Sequence, residues 1–196
     1  MPQIRHLIVG VDPGKVSGVA VFDTITREFE PYEIPTWEAV GMVDTLLSHP
    51  RVEMEAVVVE DYVITRETLK KTRGENWSME SIGALRYLTQ EHGIPLYEFT
   101  AHDSKAFGTD TKLISAGWWY PTRDGHQNDA ARLLLKYLAD TDRLSLVGLA
   151  RRRRPQPRVT AEFSHGEVYT SGGTFTINTA PDSREPNWSS FYREDR

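Results

Sequence analysis

The chain of 196 residues contains no cysteine. That excludes a disulfide framework and thiolate metal sites, and it fits a reducing compartment. No apolar run is long enough to span a bilayer. The opening Met1-Pro2-Gln3-Ile4-Arg5 also lacks the apolar stretch of a secretory leader. The expected location is therefore the cytoplasm. There is no internal repeat. An excess of positive charge is missing too: the formal net charge is −5, which argues against simple non-specific nucleic-acid binding. The charge is uneven, however. Residues 151–196 hold eight Arg against six Asp and Glu, which leaves +2 there and −7 for residues 1–150. Divalent cations bound by acidic side chains would neutralise part of that excess.

What is present begins with strands. Residues 4–11 form an apolar run that predicts a buried strand, ending in Asp12-Pro13-Gly14. Residues 16–22 and 28–34 predict two more, joined near 24–27, which makes an opening antiparallel meander. Apolar residues at helical spacing (Trp37, Val40, Val43, Leu46, Leu47) predict a helix over 37–48. A further buried strand covers 56–60. Residues 64–77 are polar and read as a loop or the start of a helix. Helices are expected at 78–91, ended by His92-Gly93, from about 103, at 111–116 and at 126–139, with a short strand at 95–99. Strands first, then strand and helix in alternation, indicate an α/β sandwich around a mixed sheet. Composition shifts at Arg151-Arg152-Arg153-Arg154-Pro155. The expected organisation is thus a domain over 1–150 and an extension over 151–196. In the extension, Ser171-Gly172-Gly173 predicts a hairpin, and the polar end reads as disordered or draped over the domain.

Four residues carry the chemistry. Asp12 ends the first strand on rigid backbone, where a carboxylate is costly to bury unless it meets a cation. Glu60 ends the run Val57-Val58-Val59-Glu60. His126 and Asp129, three residues apart, share a face of the last helix. Each has an ordinary explanation taken singly. Asp-Pro-Gly is a common turn, Glu60 suits a strand-end surface, and a first-turn acid such as Asp129 is favoured by the helix dipole. Asp61 points to the other sheet face if the strand continues. Together, acids at two strand ends and a helix with two ligand-type residues facing one way describe a divalent-metal site acting on phosphates. Mg²⁺ prefers oxygen ligands and keeps positions open for water and phosphate. Two ions bridged by a central Asp suit in-line displacement at phosphorus, and the histidine lets Mn²⁺ substitute.

Val9-Gly10-Val11-Asp12-Pro13-Gly14 followed by Ser17-Gly18 resembles the first-strand motif of RuvC-type Holliday junction resolvases, in the ribonuclease-H-like superfamily. Val58-Val59-Glu60-Asp61-Tyr62-Val63 is similar to the family's second acidic strand end. Gly83-Ala84-Leu85-Arg86 falls in its central helix, Pro95 to Phe99 with Lys105 in the next strand and a following basic residue, and His126 to Leu135 in its terminal acidic helix. The resemblance covers about residues 4–140. It implies a ribonuclease-H-like fold, with a mixed central sheet flanked by helices, and a homodimer paired through the helix at 78–92. It also implies catalytic metal ligation by Asp12, Glu60, His126 and Asp129, with two Mg²⁺ per site, and phosphate contacts from Lys105 and Lys112. The family's junction-wedging aromatic has Tyr62 as its nearest counterpart and Trp77 as the next. Lys70, Lys71 and Arg73 are basic residues of the adjoining segment, and the arginines from Arg151 onward read equally as a phosphate-binding arm or a solvated charge run.

The expected activity is metal-dependent, structure-selective cleavage of branched DNA, with the four-way junction as substrate. Alternatives keep the fold and change the substrate to a flap, a fork or an RNA–DNA hybrid, since a motif does not fix branch preference. A non-catalytic junction-binding protein is an alternative of another class. An actin-like ATPase would need a second phosphate loop and about twice this length, and neither is found.

Overall fold

The computed structural model describes residues 4–63, 76–122 and 124–147, together with the backbone of two strands, Glu167–Thr170 and Gly173–Thr176. The chain divides into two compact units, Met1–Pro155 and Gln156–Arg196. Lys70, Lys71, Arg73, the arginine run from Arg151 and the C-terminal end lie outside the described residues.

In the first unit, β1 (Arg5–Asp12), β2 (Val16–Asp23) and β3 (Phe29–Pro35) form the antiparallel meander. On the other side of β1, β4 (Val52–Glu60) and β5 (Leu96–Phe99) add in parallel. The sheet order is β3-β2-β1-β4-β5. α1 (Thr36–Ser48) leads from β3 to β4, and α2 (Trp77–Glu91) lies between β4 and β5. α3 (Ala101–Phe107), α4 (Asp110–Ala116) and α5 (His126–Asp140) follow, then a 3-10 turn at Leu144–Leu146. This mixed five-stranded sheet with flanking helices is an α/β fold, with the architecture that the ribonuclease-H-like resemblance implied. None of its described helices is long and apolar enough to cross a membrane.

Burial on both faces explains the near-continuous apolar runs of β1, β2 and β4. Ile8, Ala20, Phe22, Ala56 and Val58 point to one face and pack against Ala130, Ala131, Leu133, Leu134 and Leu138 of α5. The alternate residues, Leu7, Val9, Val11, Val19, Val21, Val57 and Val59, are buried on the other face, as a strand period of two requires. α1 packs on β2, β3 and β4 and against α2. Trp118 closes the α5-side core, stacked on Phe29 with centroids 4.5 Å apart.

β4 begins four residues before the apolar run at 56–60. Glu53 and Glu55 hide that start from a hydrophobic pattern, yet backbone pairing with Arg5–Leu7 carries the strand outward. A register shift between Leu7 and Ile8 skips Glu55, whose carboxylate is held by Arg143 Nη2 at 2.6 Å. The short helices α3 and α4 begin two residues and one residue earlier than expected, because Thr100 and Thr109 cap them. Their hydroxyls accept the N–H groups of Asp103 and Lys112. In the second unit, β6 (Glu167–Thr170) and β7 (Gly173–Thr176) pair antiparallel, with Thr170 opposite Gly173.

Candidate metal centre

The parallel ladder between β1 and β4 ends at Val11 opposite Val59. One residue further along stand Asp12 and Glu60, side by side at the ends of adjacent strands spaced about 5 Å apart. Alternation puts both on the α5 face, in line with Ile8 and Gly10 on β1 and with Ala56 and Val58 on β4. Asp12 is only 6% exposed. Behind it the chain turns at Pro13-Gly14, and the Gly14 N–H donates to Ser17 Oγ at 3.3 Å. Ser78 Oγ, in the first turn of α2, donates to the Pro13 carbonyl at 2.7 Å and ties that helix to the turn.

Two glycines bring α5 down onto these strands. A Cβ at Gly10 would lie 2.7 Å from the Ala130 carbonyl oxygen, and one at Gly18 would lie 1.9 Å from that of His126. Neither position has room for a side chain. Gly125 precedes the helix in the left-handed region, at φ 82°, which glycine adopts without strain. His126 Nδ1 thereby stands 2.9 Å from Asp12 Oδ2. Asp129 follows one turn along the same face.

The electrostatics are those of crowded acids. Burial, with the neighbouring Asp12 charge, pushes the Glu60 carboxyl up to about 7, while Lys105 and His126 oppose the shift. The hydrogen bond to Asp12 raises the pKa of His126 against the opposing effect of burial. Burial lowers that of Lys105, but its hydrogen bond to Asp129 and the charges of Asp129, Glu60 and Asp12 outweigh this and leave it raised. Lys105 Nζ lies 3.1 Å from Asp129 Oδ2. Arg132 Nη1 donates to the other oxygen, Oδ1.

The structure thus gathers Asp12, Glu60, His126 and Asp129 at one end of the sheet. It does not arrange them as a finished cage: among the described residues, no three Asp, Glu or His side chains are grouped closely enough to hold an ion as they stand. Asp129 is turned to its cations and Asp12 to its histidine. The donor set nonetheless suits a hard divalent cation. It comprises three carboxylates and an imidazole, and Glu60 Oε2 is buried with no hydrogen-bond partner among the described residues. A buried orphan of that kind calls for an ion or water.

The other predicted residues divide. Lys105 joins the Asp129 carboxylate directly. Lys112 stands over the Phe107 ring, 3.7 Å from its centroid. Tyr62 lies just past the end of β4, its hydroxyl donating to Asn76 Oδ1 at 3.4 Å, and Trp77 opens α2. Asp61 leaves the strand, its N–H donating to the Phe99 carbonyl.

Two residues of the centre escape a motif-based reading. Glu33 pairs with Gly18, which pairs in turn with Asp12, so an acid on β3 lies in the same lateral row. Burial raises its carboxyl pKa, His126 opposes, and Asp124 and Asp12 add to the rise. The register of the β2–β3 hairpin was the available signal. Arg132 is the second, marked only by its i+3 spacing from Asp129.

No family model and no curated protein matches this sequence. Among solved structures, the chain is similar to Thermus thermophilus RuvC in complex with a Holliday junction substrate, at 20% identity over 70% of this chain and 97% of that one, with a TM-score of 0.46. A second structure of Thermus thermophilus RuvC is similar at 20% identity over 69% of this chain and 96% of that one, also with a TM-score of 0.46.

Proposed function

We propose that the protein is a metal-dependent endonuclease that cuts branched DNA, with the four-way junction as its substrate. The observation that carries the nuclease reading is the meeting of two strand ends and one helix face. Asp12 and Glu60 stand beside each other, His126 Nδ1 is 2.9 Å from Asp12, and Asp129 lies one turn on. Branched DNA as the substrate rests on the resemblance of the Asp12, Glu60 and His126 segments to RuvC-type resolvases.

Asp12, Glu60, His126 and Asp129 would hold two Mg²⁺ ions, with Mn²⁺ as a substitute. Bound metal supplies activation of a water and stabilisation of the leaving oxygen. The protein's own part is to hold these groups on rigid strand ends and on a helix seated against glycine. The chain also supplies the positive charge of Lys105 beside the carboxylates, within reach of a substrate phosphate. In this reading Lys112 contacts the DNA backbone from α4, and Tyr62, at the rim next to Glu60, stacks on an unpaired base.

A homodimer supports the substrate geometry, since two-fold symmetry matches paired nicks in opposed strands. Met79 (46% exposed) and Tyr87 (62% exposed) lie eight residues apart on α2. Between them a Cβ on Gly83 would meet no described atom within 4 Å. That exposed apolar stripe is the proposed dimer face.

The test incubates the protein with labelled four-way, flap, hybrid and linear substrates in Mg²⁺, Mn²⁺ or EDTA. Paired, metal-dependent nicks in the junction that vanish in Asp12→Asn support the proposal. Equal cutting of flaps moves the substrate to another branched DNA, and binding without cutting removes the enzyme.

A further inference from the structure

Asp129 carries a cation on each of its two oxygens, and the two cations are held differently. Arg132 is 16% exposed in its side chain and is fixed at three points. Nη1 donates to Asp129 Oδ1, Nη2 to Asp110 Oδ1, and Nε to the Gly108 carbonyl at 2.9 Å. Gly108 lies tight beneath it: a Cβ there would stand 2.8 Å from Arg132 Cβ and Cγ. The guanidinium therefore bolts α5 to the junction between α3 and α4. Lys105 is 51% exposed in its side chain, and among the described residues its ammonium makes a single ion pair, to Asp129 Oδ2 at 3.1 Å. A planar fork bound at three points is rigid, whereas a lysine on a four-carbon stem with one partner moves at little cost.

Resting on the metal-centre reading, we propose that Arg132 is a positioning residue for Asp129 and that Lys105 is an exchangeable stand-in cation. Arg132 keeps Oδ1 and so presents Oδ2 to the pocket. Lys105 occupies Oδ2 until a divalent ion takes it, and is then free for a substrate phosphate. This accounts for an Asp129 that sits with Glu60 and Asp12 yet completes no ligand group in the present arrangement. It also gives the pocket a reason to carry a lysine so close to its carboxylates: metal loading and phosphate capture become one exchange.

The inference makes the two cations act in opposite directions. Charge alone predicts that removing either one tightens metal binding, since each repels a divalent ion. A positioning role predicts that losing Arg132 weakens it. The test is Mn²⁺ titration of the full chain by calorimetry, without DNA. Lys105→Met is expected to tighten Mn²⁺ binding roughly tenfold, and Arg132→Gln to weaken it roughly tenfold, the scale of losing an outer-shell partner. Arg132→Lys keeps the charge but not the fork and is expected to weaken binding as well. It stands in if Arg132→Gln fails to fold, which thermal denaturation in EDTA reports. Tighter binding in either Arg132 variant overturns the positioning role, and unchanged or weaker binding in Lys105→Met overturns the exchange. A wild-type protein that binds no Mn²⁺ overturns the metal centre itself, whereas wild-type binding that every variant retains overturns only this inference.

Discussion

The backbone of His126 rests where the side chain of residue 18 would be. A Cβ on Gly18 would fall 1.9 Å from the His126 carbonyl oxygen, so the imidazole reaches Asp12 only because β2 carries a glycine opposite it. Gly18→Ala must push α5 off the sheet. The expected cost is about 3 kcal/mol, read as a fall of roughly 6–12 °C in Tm. Gly83→Ala on α2, whose added Cβ meets no described atom of its own chain, is the contrasting case when combined with Tyr87→Asp to keep the protein monomeric. It is expected to raise Tm slightly, because alanine favours the helix by about 1 kcal/mol.

Asp12 faces the centre and is nearly fully buried. Asp12→Asn is expected to lower junction nicking at least roughly a hundredfold, since losing a group proposed as a direct ligand should cost no less than losing an outer partner. Circular dichroism and Tm in EDTA should remain close to wild type, which separates lost chemistry from lost folding. A variant that still nicks at the wild-type rate would take Asp12 out of the site.

Glu60 links pH to stability. Its carboxyl is pushed up to about 7 from an ordinary 4.5, so the folded protein holds this proton more tightly than the unfolded chain. The resulting contribution is complete below about pH 4.5 and is lost as pH rises through about 7. In EDTA at pH 8, Glu60→Gln is therefore expected to melt above wild type, with the gap closing toward pH 5. Adding Mg²⁺ or Mn²⁺ should reverse the order, because only the carboxylate gains from a cation. Thermal melts across pH, with and without metal, check both halves.

The stripe of Met79, Gly83 and Tyr87 on α2 is expected to pair two copies. Tyr87→Asp should yield a monomer by light scattering after gel filtration. Its Mn²⁺ affinity should stay near wild type, since Tyr87 is 62% exposed on the outer side of α2 and not among the groups shown to act on the carboxylates. Wild-type protein that runs as a monomer at every concentration would rule out this face.

Much of this was legible in the chain order of residue types. The meander, the two acidic strand ends and α5 all follow from periods of two and 3.6 and from the turn residues between them. The start of β4 was hidden because Glu53 and Glu55 look like loop residues. They are tolerated where the backbone pairs with β1 and Arg143 meets Glu55. Glu33 stayed hidden for a related reason. Only the hairpin register places it two strands from Asp12, and no local pattern states a register.

Sequence alone determined which side chains suit the proposed chemistry and which elements carry them: carboxylates at the ends of apolar strands, and a histidine and an acid one helical turn apart. Tertiary structure decided how those groups stand toward one another. It turned Asp129 to Arg132 and Lys105, set His126 on Asp12 through the space left at Gly18, and left an oxygen of Glu60 buried with no partner among the described residues. The physical reason is range. Periodicity and capping act within a few residues, while ion pairs and close backbone contacts join positions more than a hundred residues apart, such as Asp12 and His126, only once the chain has packed.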